Sequence, residues 1–300
     1  MASTVSLVLG SGGARGYAHI GVIEELLARG YTIGAVAGCS MGALIGGLYA
    51  AGALDDYKQW VNTLNYLDIV RLLDLSFRTP GAIGGDRIFD VIEGMVGATN
   101  IEELTIPYTA VATDLDSAKE IWFQSGPLLQ AMRASVAIPS LFAPVNYNGR
   151  TLVDGGLLNP LPIAPMVAHH CDLIIAVDLN VDIPPSQLSC PVPPAASRQD
   201  RVFQRWINLL RNRTSRYTRD SSKAGEKAVK SGMIDIFNQS LEVMQESLAR
   251  YKTAGYPPDL LVPISRNQCR FYEFNRAEEM ISIGRLATER SLNEYEGQRG

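Results

Sequence analysis

Charge is scarce in this 300-residue chain: Asp, Glu, Lys and Arg make up only 19% of it, and the net charge is -4. A balance of that kind lacks the basic excess that nucleic-acid binding requires. Cysteine is scarcer still. The four that occur (Cys39, Cys171, Cys190 and Cys269) form neither a C-x-x-C pair nor a zinc-ligand spacing. A disulfide scaffold is therefore excluded, reduced thiols in a cytoplasmic setting are expected, and no metal or other cofactor is implied. Histidine occurs three times, at His19, His169 and His170. The first ten residues carry no basic segment before an apolar run, so no secretory signal is read there.

What the chain does have is 27 glycines, 16 prolines and 46% hydrophobic residues. That apolar content rules out disorder and collagen-like repeats, and a chain of this size buries roughly 75% of its unfolded surface. Residues 30–54 contain no charged side chain, and Gly38, Gly42 and Gly46 match the small-residue spacing of paired membrane helices. Other glycines interrupt the stretch, however, and it breaks at Gly38-Cys39-Ser40. A buried strand, turn and helix is the better reading.

Strand and helix patterns alternate over the first 180 residues. Thr4–Leu9, Ile33–Gly38, Tyr108–Thr113, Ile121–Phe123, Thr151–Val153 and Asp172–Leu179 read as strands, with Ile121–Phe123 as a hairpin partner of Tyr108–Thr113. Ile20, Ile23, Leu26 and Leu27 recur at helical spacing, and Met41–Ala53 is a helix of small residues. Alternation of this type predicts an α/β fold with a mainly parallel sheet covered on both faces. Five prolines between Pro184 and Pro194 then mark a loop. Residues 198–230 hold ten Lys/Arg against three Asp/Glu, leaving 17 against 28 for the rest of the chain. This insert reads as a solvated face or as a docking surface for anionic lipid, with Phe203, Trp206 and Tyr217 as anchors. Residues 233–254 form an amphipathic helix pattern (Ile236, Phe237, Leu241, Met244, Leu248), Asp259–Val262 a last strand, and Asn275–Tyr295 a closing helix.

Three motifs carry chemistry. Gly10-Ser11-Gly12-Gly13-Ala14-Arg15-Gly16 lies between a strand and a helix, where free backbone amides and the helix N-terminus favour an anion. It fits neither the dinucleotide fingerprint, because Arg15 stands where the third glycine should be, nor a P-loop. Gly38-Cys39-Ser40-Met41-Gly42 is a G-x-S-x-G in the strand–turn–helix context of a nucleophile elbow, which would expose Ser40 at a helix N-terminus. A serine nucleophile needs a base, and none of the three histidines is well placed to be one. Asp154-Gly155-Gly156 follows a strand and offers a carboxylate, read as sharing the C-terminal edge of the sheet with Ser40.

Taken together with Ala134-Ser135-Val136-Ala137-Ile138-Pro139, these motifs resemble, in order, those of the bacterial patatin-like phospholipases. The resemblance covers residues 5–180, the hydrolase core; residues 181–232 would be a proline-rich loop and basic insert, and 233–300 an extension packed on the core. It implies a three-layer α/β/α sandwich and a Ser40–Asp154 dyad acting on lipid or phospholipid esters through an acyl-enzyme. The amides of Gly12 and Gly13 would form the oxyanion hole with Arg15 lending charge, and Gly16, Gly38, Gly42, Gly155 and Gly156 would support the motifs. Ser11 departs from the family's usual glycine. A short-chain carboxylesterase or thioesterase, and a regulatory or scaffold protein keeping the fold, stand as alternatives, with nucleotide binding behind them.

Overall fold

A computed structural model describes residues 3–65, 68–69, 72, 86–139, 142–184 and 233–298 of the chain. The basic insert 198–230 and most of the proline-rich loop lie outside the described residues. Eight strands form one sheet: β1 (Thr4–Leu9), β2 (Thr32–Cys39), β3 (Tyr108–Asp114), β4 (Lys119–Phe123), β5 (Val145–Tyr147), β6 (Arg150–Asp154), β7 (Leu173–Val181) and β8 (Leu260–Ser265). The hydrogen-bonded order is β5-β6-β3-β2-β1-β7-β8, with β4 beside β3. Strands β3, β2, β1, β7 and β8 are parallel, whereas β4, β5 and β6 pair antiparallel. The mainly parallel sheet and the β3–β4 hairpin therefore stand as expected.

Helices α1 (Ala18–Ala28), α2 (Met41–Ala50), α3 (Leu54–Thr63), α4 (Asp86–Val96), α5 (Leu128–Ser135) and α7 (Ala277–Gly297) cover one face. Alternate residues of β1 (Val5, Leu7 and Leu9) point into that core with Ile23, Leu48 and Ile283, as the two-residue period of a strand requires. The other face carries a thinner layer. Val8, Ala35, Ala37 and Ala176 are covered there by Leu161, Ile163, Met166 and by Ala249 of α6 (Met233–Gly255). Helices α1 and α7 cross almost backbone to backbone: a Cβ on Gly21 would sit 1.9 Å from the Ile281 carbonyl oxygen, and one on Gly284 2.0 Å from that of Ala18. Among the described residues, no helix is long and apolar enough to cross a membrane.

One expectation needs correcting. Helix α2 stops at Ala50, because Gly52 turns the chain at φ +72°, so Ala51–Ala53 do not belong to it. The expected helix over 233–254 is α6, with Ala249 buried and Leu241 in a cavity wall, but with Ile236 and Met244 56% and 51% exposed.

Candidate active site

Strand β3 sets the site. On one of its sides β4 pairs with residues 110–114 throughout. On the other side Val111 pairs with Cys39 of β2, and the next residue, Ala112, with Asp154 of β6. Strands β2 and β6 thus run towards each other along the same side of β3 and stop where they meet. This overturns the sequence argument for Asp154: its strand is antiparallel, and the carboxylate reaches Ser40 because two strand ends collide. The 114 positions separating Ser40 from Asp154 in sequence are closed by one step of β3.

At the end of β2 the chain turns sharply. Ser40 takes φ 55° and ψ -125°, a conformation costly for any residue with a Cβ. The glycines flanking it leave no alternative space, since a Cβ on Gly42 would lie 2.1 Å from the Leu9 carbonyl oxygen and one on Gly38 2.4 Å from the Ala43 amide. Ser135 holds the turn. Its hydroxyl oxygen accepts from the Ser40 amide at 2.9 Å while its own proton goes to the Val111 carbonyl at 2.6 Å. The A-S-x-x-x-P block signalled this residue without disclosing its task.

Asp154 is buried at 4% exposure, lines one cavity with Ser40, and accepts a hydrogen bond from the Gly156 amide at 2.6 Å. Burial pushes its carboxyl up to about 6, with the Ser40 side chain and the Gly156 amide working against that rise. Gly155 packs so closely that a Cβ would meet the Val111 carbonyl oxygen at 2.2 Å.

The glycine loop closes the site from β1. The amides of Ser11 and Ala14 donate to the carbonyls of Pro160 and Phe271, each at 2.8 Å. Between them, the amides of Gly12 and Gly13 meet no protein acceptor among the described residues, and both glycines line the cavity shared by Ser40 and Asp154. Gly13 sits at φ +56°, which aims successive amides to one side. Gly16 packs against Met41.

Arg15 is 2% exposed and its donors are engaged: Nε on the Gly12 carbonyl at 3.2 Å, Nη1 on that of Arg266 at 2.8 Å, and Nη2 on Asn180 at 3.3 Å and Glu242 at 2.9 Å. Its guanidinium pairs with Glu242 and braces the loop, and the residue also lines the cavity with Ser40 and Asp154. Ser11 likewise spends its amide on Pro160 and offers its hydroxyl to Gln245 at 3.2 Å.

The histidines stand apart. His19 Nε2 meets the Gly10 carbonyl at 2.8 Å, and burial lowers the ring to about 4, leaving it neutral. His169 and His170 precede the first residue of β7, at the opposite edge of the sheet. Among the described residues, no cluster of His, Cys, Asp and Glu is arranged to hold a metal.

Residues beyond the core complete the cavity, which encloses about 480 Å³ and includes Leu241, Glu242, Gln245 and Phe271 in its wall. Sequence motifs could not reveal these four. A second, apolar cavity of about 600 Å³ begins at Met41 and Ile138, beside the nucleophile, and runs between Leu44, Tyr57, Trp60 and Ile88.

The chain is similar to known proteins. A family model described as patatin-like phospholipase matches residues 7–167. An uncharacterized NTE family protein of Mycobacterium tuberculosis is 40% identical over 97% of this chain and 92% of its own length. A lysophospholipase of Saccharomyces cerevisiae is 34% identical over 59% of this chain and 11% of its own. The crystal structure of VipD from Legionella pneumophila aligns with 98% of this chain and 67% of that one, at a TM-score of 0.46 and 14% identity. With its elbow, glycine loop and Asp-Gly-Gly turn inside the matched span, and a relative alike from end to end, the chain belongs to the patatin-like phospholipase family.

Proposed function

We propose that the chain is a serine acyl hydrolase of lipid esters, phospholipase A- or esterase-like, working through a Ser40–Asp154 dyad. One observation carries this reading: Ser40, at a strained elbow, shares one cavity with a buried carboxylate, Asp154, and with two amides that have no protein acceptor among the described residues. As Ser40 Oγ attacks the ester carbonyl, its proton passes to Asp154 and the carbonyl oxygen becomes an oxyanion. The Gly12 and Gly13 amides and the N-terminus of α2 are aimed at that charge, and one such donor is typically worth about 3 kcal/mol. Asp154 then protonates the leaving alcohol. Water enters and attacks the acyl carbonyl as it loses a proton to Asp154; the acyl–Oγ bond then breaks, Asp154 returns the proton to Ser40 Oγ, and the fatty acid is released. A carboxylate near 6 is a stronger base than a hydrated aspartate, which suits it to work without histidine.

A fluorophosphonate probe tests the reading. Mass spectrometry of the labelled full chain is expected to locate the adduct on Ser40, and an adduct elsewhere, or none, would falsify the dyad.

The apolar cavity beside Met41 supports lipid over short-chain esters, because it offers buried apolar wall to an acyl chain attached at Ser40. Ile88→Trp, which fills that cavity from a half-buried position on α4, is expected to lower the ratio of long-chain to butyryl ester turnover about tenfold. An unchanged chain-length profile would place the acyl chain elsewhere.

A further inference from the structure

Helix α6 turns most of its charges towards the protein and leaves an apolar stripe outside. Beside the inward apolar residues Leu241 and Ala249, Glu242 pairs with Arg15 at 2.9 Å, Glu246 with Arg266 at 2.6 Å and Lys252 with Glu120 at 2.6 Å, while Gln245 accepts from Ser11. Its outward arc consists of Ile236, Gln239, Ser240, Val243, Met244, Ser247, Arg250, Tyr251 and Ala254, all exposed. That arc contains no acidic residue and one base, Arg250, which pairs with Glu246. Val243, Met244 and Tyr251 are 60%, 51% and 75% exposed. A helix facing water normally turns its charges outward and its apolar stripe inward. Here the charges bind the protein and the stripe is left outside, the arrangement of a surface made to be covered.

We propose that the outer face of α6 seats on an anionic lipid surface, an inference that rests on the acyl hydrolase reading. Charge selects this occupant. Residues 198–230, which lead into α6, carry ten Lys/Arg against three Asp/Glu, while the rest of the chain holds 17 against 28. An anionic bilayer therefore attracts the segment that runs in sequence into α6 and repels the net-negative remainder of the chain. Valine, methionine and tyrosine without acidic neighbours are also side chains that enter the headgroup–acyl boundary favourably. Position completes the case. The inner side of the same helix lines the Ser40 cavity through Leu241, Glu242 and Gln245, so a bilayer on the outer side lies about one helix diameter, ~10 Å, from that cavity. An ester leaving the bilayer reaches the nucleophile along α6 with a short path through water.

The experiment is vesicle sedimentation of the full chain carrying Ser40→Ala, so that binding is read without hydrolysis. Phosphatidylcholine vesicles with and without phosphatidylglycerol are compared. Binding is expected with phosphatidylglycerol, to weaken with added salt, and to fall about tenfold in Val243→Glu/Met244→Glu. Leu27→Glu, at an exposed apolar position of α1, which packs on the other face of the sheet from α6, is expected to bind as before. Neither change touches the cavity, so hydrolysis of a water-soluble ester and the melting temperature report that both variants fold. Binding that survives the double substitution, or no binding at all, overturns the proposal. So does a dimer dissolved by the double substitution, which assigns the face to a second copy. Hydroxyl-radical protection of Met244 and Tyr251 without vesicles overturns it too, because another part of the chain would then cover the stripe. Fluorophosphonate labelling of the Ser40 chain reads the dyad separately, so the two proposals fail independently.

Discussion

Asp154→Asn is expected to lower ester turnover about 10³-fold while making the folded chain more stable at neutral pH. The loss follows from removing the group that accepts the Ser40 proton, since a positioned general base is typically worth 10²–10⁴-fold. The gain follows from burial. Asp154 rises from 3.8 to about 6 on folding. Between those values the folded chain holds a proton that the unfolded chain has released, so stability falls as pH rises through the window. Above it the ionised carboxylate costs about 3 kcal/mol at most. Asparagine keeps an oxygen for the Gly156 amide and carries no charge to desolvate. Denaturant melts of both chains at pH 8 and pH 3.5 measure the difference, which should appear at the higher pH and vanish at the lower. The wild type itself should lose kcat/KM tenfold per unit below pH 6. An acid limb near pH 4 would mean that Asp154 titrates as a hydrated carboxylate and would undo the argument.

Ser40→Gly and Ser40→Ala should both abolish turnover, by at least about 10⁴-fold, yet separate in stability. Ser40 sits at φ 55° and ψ -125°, and alanine inherits the strain of placing a Cβ there. Glycine does not, so Ser40→Gly is expected to be about 1–3 kcal/mol more stable than Ser40→Ala. Equal midpoints in urea for the two variants would show that the elbow holds no strain. The expected difference would make Ser40 and Asp154 both groups held against their own preference, one in conformation and one in ionisation, which is how a functional site trades stability for activity.

Much of this was legible in the sequence because it is local. Thr4–Leu9 is an unbroken apolar run ending in glycine, and it forms a strand with those bounds. The elbow needs only tiny residues two places either side of Ser40 to announce itself. The meeting of Ser40 with Asp154 was legible only through family resemblance, because it depends on the direction of β6, and short strands carry no mark of direction. Ser135 showed a motif but not its bond to the Ser40 amide, which joins residues 95 positions apart. Arg15 looked like a cation for the oxyanion, since its partner Glu242 lies 227 positions away. Helix α6 was legible as a helix but not in its orientation. Periodicity finds apolar residues, and it takes the ion pairs to Arg15, Arg266 and Glu120 to show which side faces the protein.

The bracing of the glycine loop has a consequence for biosynthesis. The loop is held by Glu242, by the Arg266 carbonyl and by the Phe271 carbonyl, all made after Ser40 and Asp154 have left the ribosome. A nascent chain can fold its elbow and its β3 meeting point early, since domains order from the N-terminus during synthesis. Its glycine loop stays unbraced until residues 242–271 emerge. A ribosome stalled before residue 242 therefore carries Ser40 and Asp154 without the contacts that hold the Gly12–Gly13 loop.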